Sequence, residues 1–239
     1  MIFVTSFSEN PVAIMGLGKS GLSAARSLSA GGSEVWAWDD SEVRRYEAED
    51  LNLVNLYTCN WDTLKTLVLS PGIPDRHPIP HAIAAKARDQ GCDIICDVDL
   101  LARSIVGPSF VGVTGTNGKS TTTALIGQIL SEAGRKVQIG GNYGVPALEL
   151  EPLDIDGTYV LELSSYQLGR IPSVNLNTTI LLNISPDHLD RHGGFEGYLA
   201  SKKSIFDRTS PDGHAIIGMD DPNCRRISLD LMMKGVLSS

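Results

Sequence analysis

Gly115-Thr116-Asn117-Gly118-Lys119-Ser120-Thr121 is a combination of residues suited to holding phosphate. Glycines let the chain close on an anion. Backbone amides then surround a β-phosphate, a lysine reaches the β/γ oxygens and a serine hydroxyl ligates Mg²⁺. The preceding glycine is Gly112, whereas strict G-x-x-x-x-G-K spacing would need one at Val113. That departure argues against an ordinary GTPase or kinase loop. Mg²⁺ takes oxygen ligands, and Glu162 is the candidate carboxylate. It is a lone acid in the apolar run Tyr159-Val-Leu-Glu-Leu163, where burial is costly unless the charge is paired or coordinated. In Asp187-His188-Leu189-Asp190-Arg191-His192 the histidines have i, i+4 spacing, but Leu189 stands where a zinc protease carries its glutamate base. That speaks against zinc. His188 is read as a Mg²⁺ or substrate residue and His192 as a polar helix start. His77 and His81 share the spacing, yet Pro78 and Pro80 forbid the helix that would bring the rings together, so no role is assigned to them.

A second glycine turn, Gly16-Leu17-Gly18-Lys19-Ser20-Gly21, is a G-x-G-x-x-G pattern, with Asp39 and Asp40 following. Their offset is the one, about 20 residues, at which a dinucleotide site places its ribose-binding acid. The ligand is a diphosphate, and the chemistry of the turn does not choose between NAD and a UDP-sugar. Leu69-Ser70-Pro71-Gly72-Ile73-Pro74 offers hydroxyl and amide groups at a strand end, where ligands collect in open α/β sheets.

Strands and helices must place these turns. Short β-branched runs at 12–15, 35–38, 66–69 and 93–96 alternate with helical patterns at 22–30 and 79–89. After a break near Ser104-Ile-Val-Gly-Pro-Ser109, a strand at 110–113 leads into the phosphate loop and a helix at 120–133. Further strands are expected at 137–139, 158–163, 178–182 and 215–217. This alternation predicts the α/β class: a Rossmann-like parallel-sheet domain over 1–107, then a P-loop α/β ATPase-type domain over 108–239. With 42% hydrophobic and 20% charged residues, the chain can bury a core. The net charge of −8, with Lys and Arg never clustered beyond a pair, speaks against nucleic acid. The longest apolar stretches fall far short of the about 20 residues that cross a bilayer. The start carries no basic n-region, so a cytoplasmic location is expected. The four cysteines form no Cys-x-x-Cys pair and are read as reduced packing residues.

With Thr114-Gly-Thr-Asn-Gly-Lys119, Gly140-Gly-Asn142, Leu161-Glu-Leu-Ser-Ser-Tyr-Gln167 and Asp187-His-Leu-Asp190 in this order, the chain resembles the Mur ligases of bacterial cell-wall synthesis over nearly its whole length. In the first domain it is most similar to the branch that adds D-glutamate to UDP-N-acetylmuramoyl-L-alanine. Branches that add other amino acids, and folylpolyglutamate synthetase, share the Thr-Gly-Thr-Asn-Gly-Lys loop but are less similar there. The resemblance implies an ATP-dependent amide bond made through an acyl phosphate, with ATP and Mg²⁺ as cofactors. It places Asp39 near the uracil, and Gly16, Gly18, Lys19, Ser20, Ser70 and Gly72 around the nucleotide diphosphate. Asn142, Ser164, Gln167 and His188 would meet the muramoyl-alanine end or its metal, while Ser120, Glu162, His188 and Lys202 would serve the metal. Lys119, Glu162, His188 and Lys202 are the implied catalytic set. Lys202, in Tyr198-Leu-Ala-Ser-Lys202, matches a lysine that the family carbamylates, with adjacent Lys203 as the alternative. A neutral amine that takes up CO₂ becomes a two-oxygen anion suited to hard Mg²⁺.

The family also has a C-terminal domain that binds the incoming amino acid, and the chain ends at Leu231-Met-Met-Lys-Gly-Val-Leu-Ser-Ser239. A truncated polypeptide is therefore expected, which binds its UDP-substrate, and ATP weakly, but turns over little; separately, a monomer is expected. Rival readings are a ligase for another amino acid, a non-catalytic nucleotide-binding module, and a nicotinamide dehydrogenase built on the first turn, which would leave the second unexplained.

Overall fold

The computed structural model describes residues 1–233, so the last residues of the ending discussed above, 234–239, lie outside the described residues. The chain forms two compact units, and the sequence does not pass between them only once. The first comprises Met1–Val106, Pro146–Pro152 and Arg170–Ser173; the second comprises Gly107–Val145, Leu153–Gly169 and the chain from Val174 onward.

In the first unit, β1 (Val12–Met15), β2 (Val35–Trp38), β3 (Thr66–Leu69) and β4 (Asp93–Ile95) form a parallel sheet in the order β2-β1-β3-β4. Every residue of β1 and β3 is buried, as continuous apolar runs covered on both faces should be. The helices are α1 (Lys19–Ala30), α2 (Glu42–Glu47), α3 (Ala82–Asp89) and α4 (Asp97–Ser104). Leu56, Trp61 and Leu64, with Ile83, Ala84 and Ala87 of α3, pack on Ala13, Met15, Leu67 and Leu69 of the sheet. Because β1 lies between β2 and β3, the connections diverge at its carboxyl end, where α/β sheets bind ligands.

The second unit contains β5 (Ser109–Thr114), α5 (Lys119–Glu132), β6 (Val137–Gly141), β7 (Thr158–Glu162), α6 (Ser165–Leu168), β8 (Leu176–Leu181), α7 (Phe195–Lys203), β9 (Thr209–Ile217) and α8 (Pro222–Met233). Its sheet runs β6-β7-β5-β8-β9, also parallel throughout. Val113, Val160 and Ile180 lie at the centre of one core cluster, with Ile126 and Leu130 of α5 packed against it.

Several boundaries differ from expectation for local reasons. α1 begins at Lys19 rather than 22, directly after Gly18, so the glycine turn itself is the helix start. α3 begins at Ala82 rather than 79, because Pro78 and Pro80 precede it and His81 caps it. β4 ends at Ile95, and Cys96 caps α4, which the sequence pattern did not indicate. β8 starts two residues earlier than expected and ends one earlier, at Leu181, and β9 begins at Thr209, its pairing with β8 shifting register between Leu176 and Thr178. The cysteines are free thiols; Cys92, Cys96 and Cys224 are buried and Cys59 is half-buried.

Candidate functional site in two glycine-rich turns

Strand β5 delivers the chain to the phosphate loop, and Gly118, in a left-handed conformation (φ 81°), starts α5. Gly115 also has a positive φ, of 155°. Gly112 is different. It lies within β5, and a Cβ there would stand 2.6 Å from Leu176 Cδ1. It is a packing glycine, so the odd spacing reflects how β8 packs on β5 rather than the shape of the loop. Lys119 Nζ donates to Thr116 O at 2.9 Å, folding the lysine back over its own loop.

The parallel register places Glu162 of β7 opposite Val113, beside the loop. Ser120 Oγ donates to Glu162 Oε2 at 2.7 Å, and Asn142 Nδ2 to Oε1 at 3.1 Å. Gly140-Gly-Asn142 explains how the asparagine arrives: Gly141 (φ 110°) runs against the backbone of Glu162, where a Cβ would collide with Glu162 O. Asn142 N then donates to that carbonyl at 2.9 Å. Three residues expected from the sequence thus meet at one buried carboxylate.

Lys119, Asn142, Ser164, Tyr198, His188 and Lys202 line a cavity of about 190 Å³ together with Ser165, Tyr166 and Asp187. Lys202 is 2% exposed. Its Nζ donates to Thr114 Oγ1 at 3.4 Å and lies 5.0 Å from the Tyr198 ring centre. Burial, and then the positive charge of Lys119, bring its pKa down to about 7 against the pull of Asp187 and Glu162. Lys203 points elsewhere, its Nζ 3.0 Å from Asp230 Oδ2. His188 has φ 48°, a strained conformation for a residue with a side chain. Its Nε2 is 3.6 Å from Asp187 Oδ2.

Gln167 does not face the cavity. It is buried in a capping box: Ser164 Oγ accepts from Gln167 N at 3.3 Å, while Gln167 Oε1 accepts from Ser164 N at 3.1 Å. Its work is to present Ser164 and Ser165. Sequence reasoning missed Tyr198, whose buried hydroxyl is 3.0 Å from Thr116 Oγ1, and Ser165, whose Oγ is 2.9 Å from His192 Nε2. His192 lies in a short 3-10 turn, Leu189–His192, stacked 5.3 Å from Tyr166, rather than at a plain helix start. The i, i+1 placement of Ser165 beside Ser164 was the available signal.

The donors suit a Mg²⁺-nucleotide in one part. A buried carboxylate bridged by the loop serine is oxygen chemistry of the right kind. Among the described residues no three His, Cys, Asp or Glu groups converge as a metal cage. Ser120 and Asn142 meet at Glu162, while His188 and Lys202 line the neighbouring cavity.

In the first unit Gly16 (φ 93°) turns the chain, and a Cβ on Gly21 would collide with Gly16 O. Asp39 is 6% exposed: Oδ2 accepts from Leu17 N at 2.6 Å and Oδ1 from Ser41 N at 2.8 Å. Its carboxylate shapes the turn from behind. Ser70 Oγ donates to Gly16 O at 2.8 Å, tying the two turns together. Lys19 is exposed and Ser20 and Gly18 half-buried. Against expectation, His81 has a part here. Nδ1 accepts from Ile83 N at 3.3 Å, and Nε2 lies 2.9 Å from Asp40 Oδ2. Tyr57 OH donates to Asp40 Oδ1 at 2.9 Å. Burial and that carboxylate push the Tyr57 phenol up to about 12.

Residues 113–236 match the model of the Mur ligase middle domain. The chain belongs to the Mur ligase family. It is 47% identical, over 97% of its length, to the UDP-N-acetylmuramoylalanine–D-glutamate ligase of Caulobacter sp. (strain K31), of which it covers 51%. To the ligase of the same name from Rhodospirillum rubrum it is 50% identical over 92% of its length, covering 48% of that protein. The chain spans about half the length of the curated relatives it matches. Among solved structures, the UDP-N-acetylmuramate:L-alanyl-gamma-D-glutamyl-meso-diaminopimelate ligase from Neisseria meningitides superposes with a TM-score of 0.59 at 15% identity. It covers 92% of this chain and 75% of that one, a likeness of fold. The Mur ligase fold class, Rossmann-like unit and P-loop unit, is thus the one expected. No helix among the described residues is long and apolar enough to cross a membrane.

Proposed function

We propose that this chain binds UDP-N-acetylmuramoyl-L-alanine and Mg²⁺-ATP and prepares the alanyl carboxylate for the addition of D-glutamate, a cytoplasmic step in making peptidoglycan precursors. The observation that carries the reading is the cavity where Lys119, Asn142 and Lys202 converge beside Glu162. ATP would supply the phosphoryl group that activates the carboxylate. Gly115, Thr116, Asn117, Gly118 and Thr121 present loop and helix amides to its phosphates. Lys119 exchanges Thr116 O for a phosphate oxygen, and Ser120 and Glu162 hold Mg²⁺. Ser164 and His188 orient the acyl end. Lys202, with its pKa near 7, is largely an uncharged amine just above neutrality. That is the form that takes up CO₂, and a carbamate there would set a second oxygen anion facing Lys119.

The first unit takes the UDP end on Gly16, Gly18, Lys19, Ser20, Ser70 and Gly72, with Asp39 setting the turn. The relatives' shared name supports D-glutamate over another amino acid. Calorimetric titration of UDP-N-acetylmuramoyl-L-alanine, with NAD in parallel, tests the reading. Saturable binding of the UDP-substrate, weakened in Asp39→Ala, is expected; binding of NAD instead would overturn it.

A further inference from the structure

Arg170 is among the most deeply buried large side chains of the protein, 2% exposed, and no motif announces it. It follows α6 in sequence, yet it belongs to the first unit. Its guanidinium fork meets the Leu69–Asp75 segment at four acceptors. Nη1 donates to Leu69 O at 3.2 Å and Ser70 O at 3.0 Å. Nη2 donates to Ile73 O at 2.8 Å and to Asp75 Oδ1 at 3.1 Å.

These acceptors belong to the turn that also grips the glycine loop. Ser70 N donates to Met15 O at 3.1 Å, and Ser70 Oγ to Gly16 O. Ser70 Cβ and Ile73 Cδ1 stand so close to Gly16 that a Cβ there would meet them at 2.8 and 2.7 Å. Moving Ser70 therefore moves Gly16. Three carbonyl oxygens are drawn onto the guanidinium, and a carbonyl dipole turned the other way would repel an anionic ligand. Asp75, 31% exposed, is the ion-pair partner of the guanidinium, so what the fork adds is the direction in which the carbonyls point. Burying a guanidinium is costly unless several groups satisfy it. A fold that needed only a stable turn could use an apolar residue here.

We propose that Arg170 is a positioning residue for the diphosphate of the UDP-substrate: it draws the turn's carbonyls inward, fixes Ser70 against Gly16, and makes the ligand-facing side hospitable to negative charge. This rests on the reading of the first unit as the UDP site. Arg170→Lys, which keeps the charge but loses the fork, and Arg170→Met are compared with the unaltered chain. Titration with UDP-N-acetylmuramoyl-L-alanine and with Mg²⁺-ATP is combined with amide hydrogen exchange. The expected result is a loss of UDP-substrate affinity of about tenfold or more, the scale of one hydrogen bond to a charged group, with ATP affinity unchanged. Exchange should speed up in 70–75 and not in 112–121, and Arg170→Lys should lie between the extremes. Unchanged UDP-substrate affinity in both variants, or parallel loss of both ligands in the lysine variant, would overturn the proposal. If the unaltered chain binds Mg²⁺-ATP but no UDP-substrate, the reading of the first unit fails and takes this inference with it, an outcome distinct from loss in the variants alone.

Discussion

Lys202 offers the sharpest physical test. Its amine titrates at about 7 in the folded chain against 10.5 for an unperturbed lysine. Between those values the unfolded chain holds a proton that the folded chain has released, so stability rises with pH across the window from about 7 to 10.5. At pH 7 the penalty of keeping this amine buried is about 4 kcal/mol, and at pH 9 about 2 kcal/mol, from the 1.36 kcal/mol that each pKa unit represents. Replacing the amine with a methionine of similar reach removes the penalty. Lys202→Met should therefore be more stable than the unaltered chain at pH 7 in CO₂-free buffer. That advantage should shrink by about 2 kcal/mol by pH 9. Urea unfolding of both proteins at matched pH values measures it, and the comparison cancels the contributions of Tyr57 and the buried thiols. Stability curves that run parallel from pH 7 to 9 would refute the assignment of a depressed pKa.

The same depression raises the uncharged fraction at pH 7 to about one half, a thousandfold or so above an exposed lysine. With ¹³C-labelled CO₂, one carbamate resonance should appear in NMR, disappear in Lys202→Met and persist in Lys203→Met. Glu162→Gln should weaken Mg²⁺-dependent ATP binding about tenfold or more, while binding without Mg²⁺ changes little, as fluorescence titration with a nucleotide analogue would report. Gly141→Ala forces a side chain into a positive-φ position against Glu162 O. It should cost about 1–3 kcal/mol in urea unfolding and weaken nucleotide binding with it. His81→Ala removes the acceptor at the start of α3 and the contact with Asp40, and should lower unfolding stability by about 1 kcal/mol.

What could be read in advance followed from periodicity and local chemistry. β1, β2 and β3 are short continuous apolar runs bounded by turns, so their limits are set by residues next to one another. The phosphate loop and Glu162 were legible because each is a local anomaly: glycines before a lysine, an acid in an apolar strand. Arg170 was not, since its partners lie about a hundred residues earlier and nothing in Gly169-Arg170-Ile171 distinguishes it from a surface residue. His81 was misjudged because only the helical arrangement of its spacing was weighed, whereas the prolines leave it free to cap α3 and face Asp40. The shared motif placed Gln167 among the ligand contacts; its capping box, closed by the amide oxygen on Ser164, could not be read from the motif alone. Gly112 adds a physical cause: the spacing that set this loop apart from an ordinary GTPase or kinase loop goes with a glycine packed in β5 against Leu176.

If the two glycine-rich turns take two different ligands at once, calorimetric titration of UDP-N-acetylmuramoyl-L-alanine into the chain saturated with Mg²⁺ and a non-hydrolysable ATP analogue, repeated in the reverse order, will show it. Each ligand should bind one to one, with neither displacing the other. Mutual exclusion of the two, or displacement of the UDP-substrate by NAD, would contradict it.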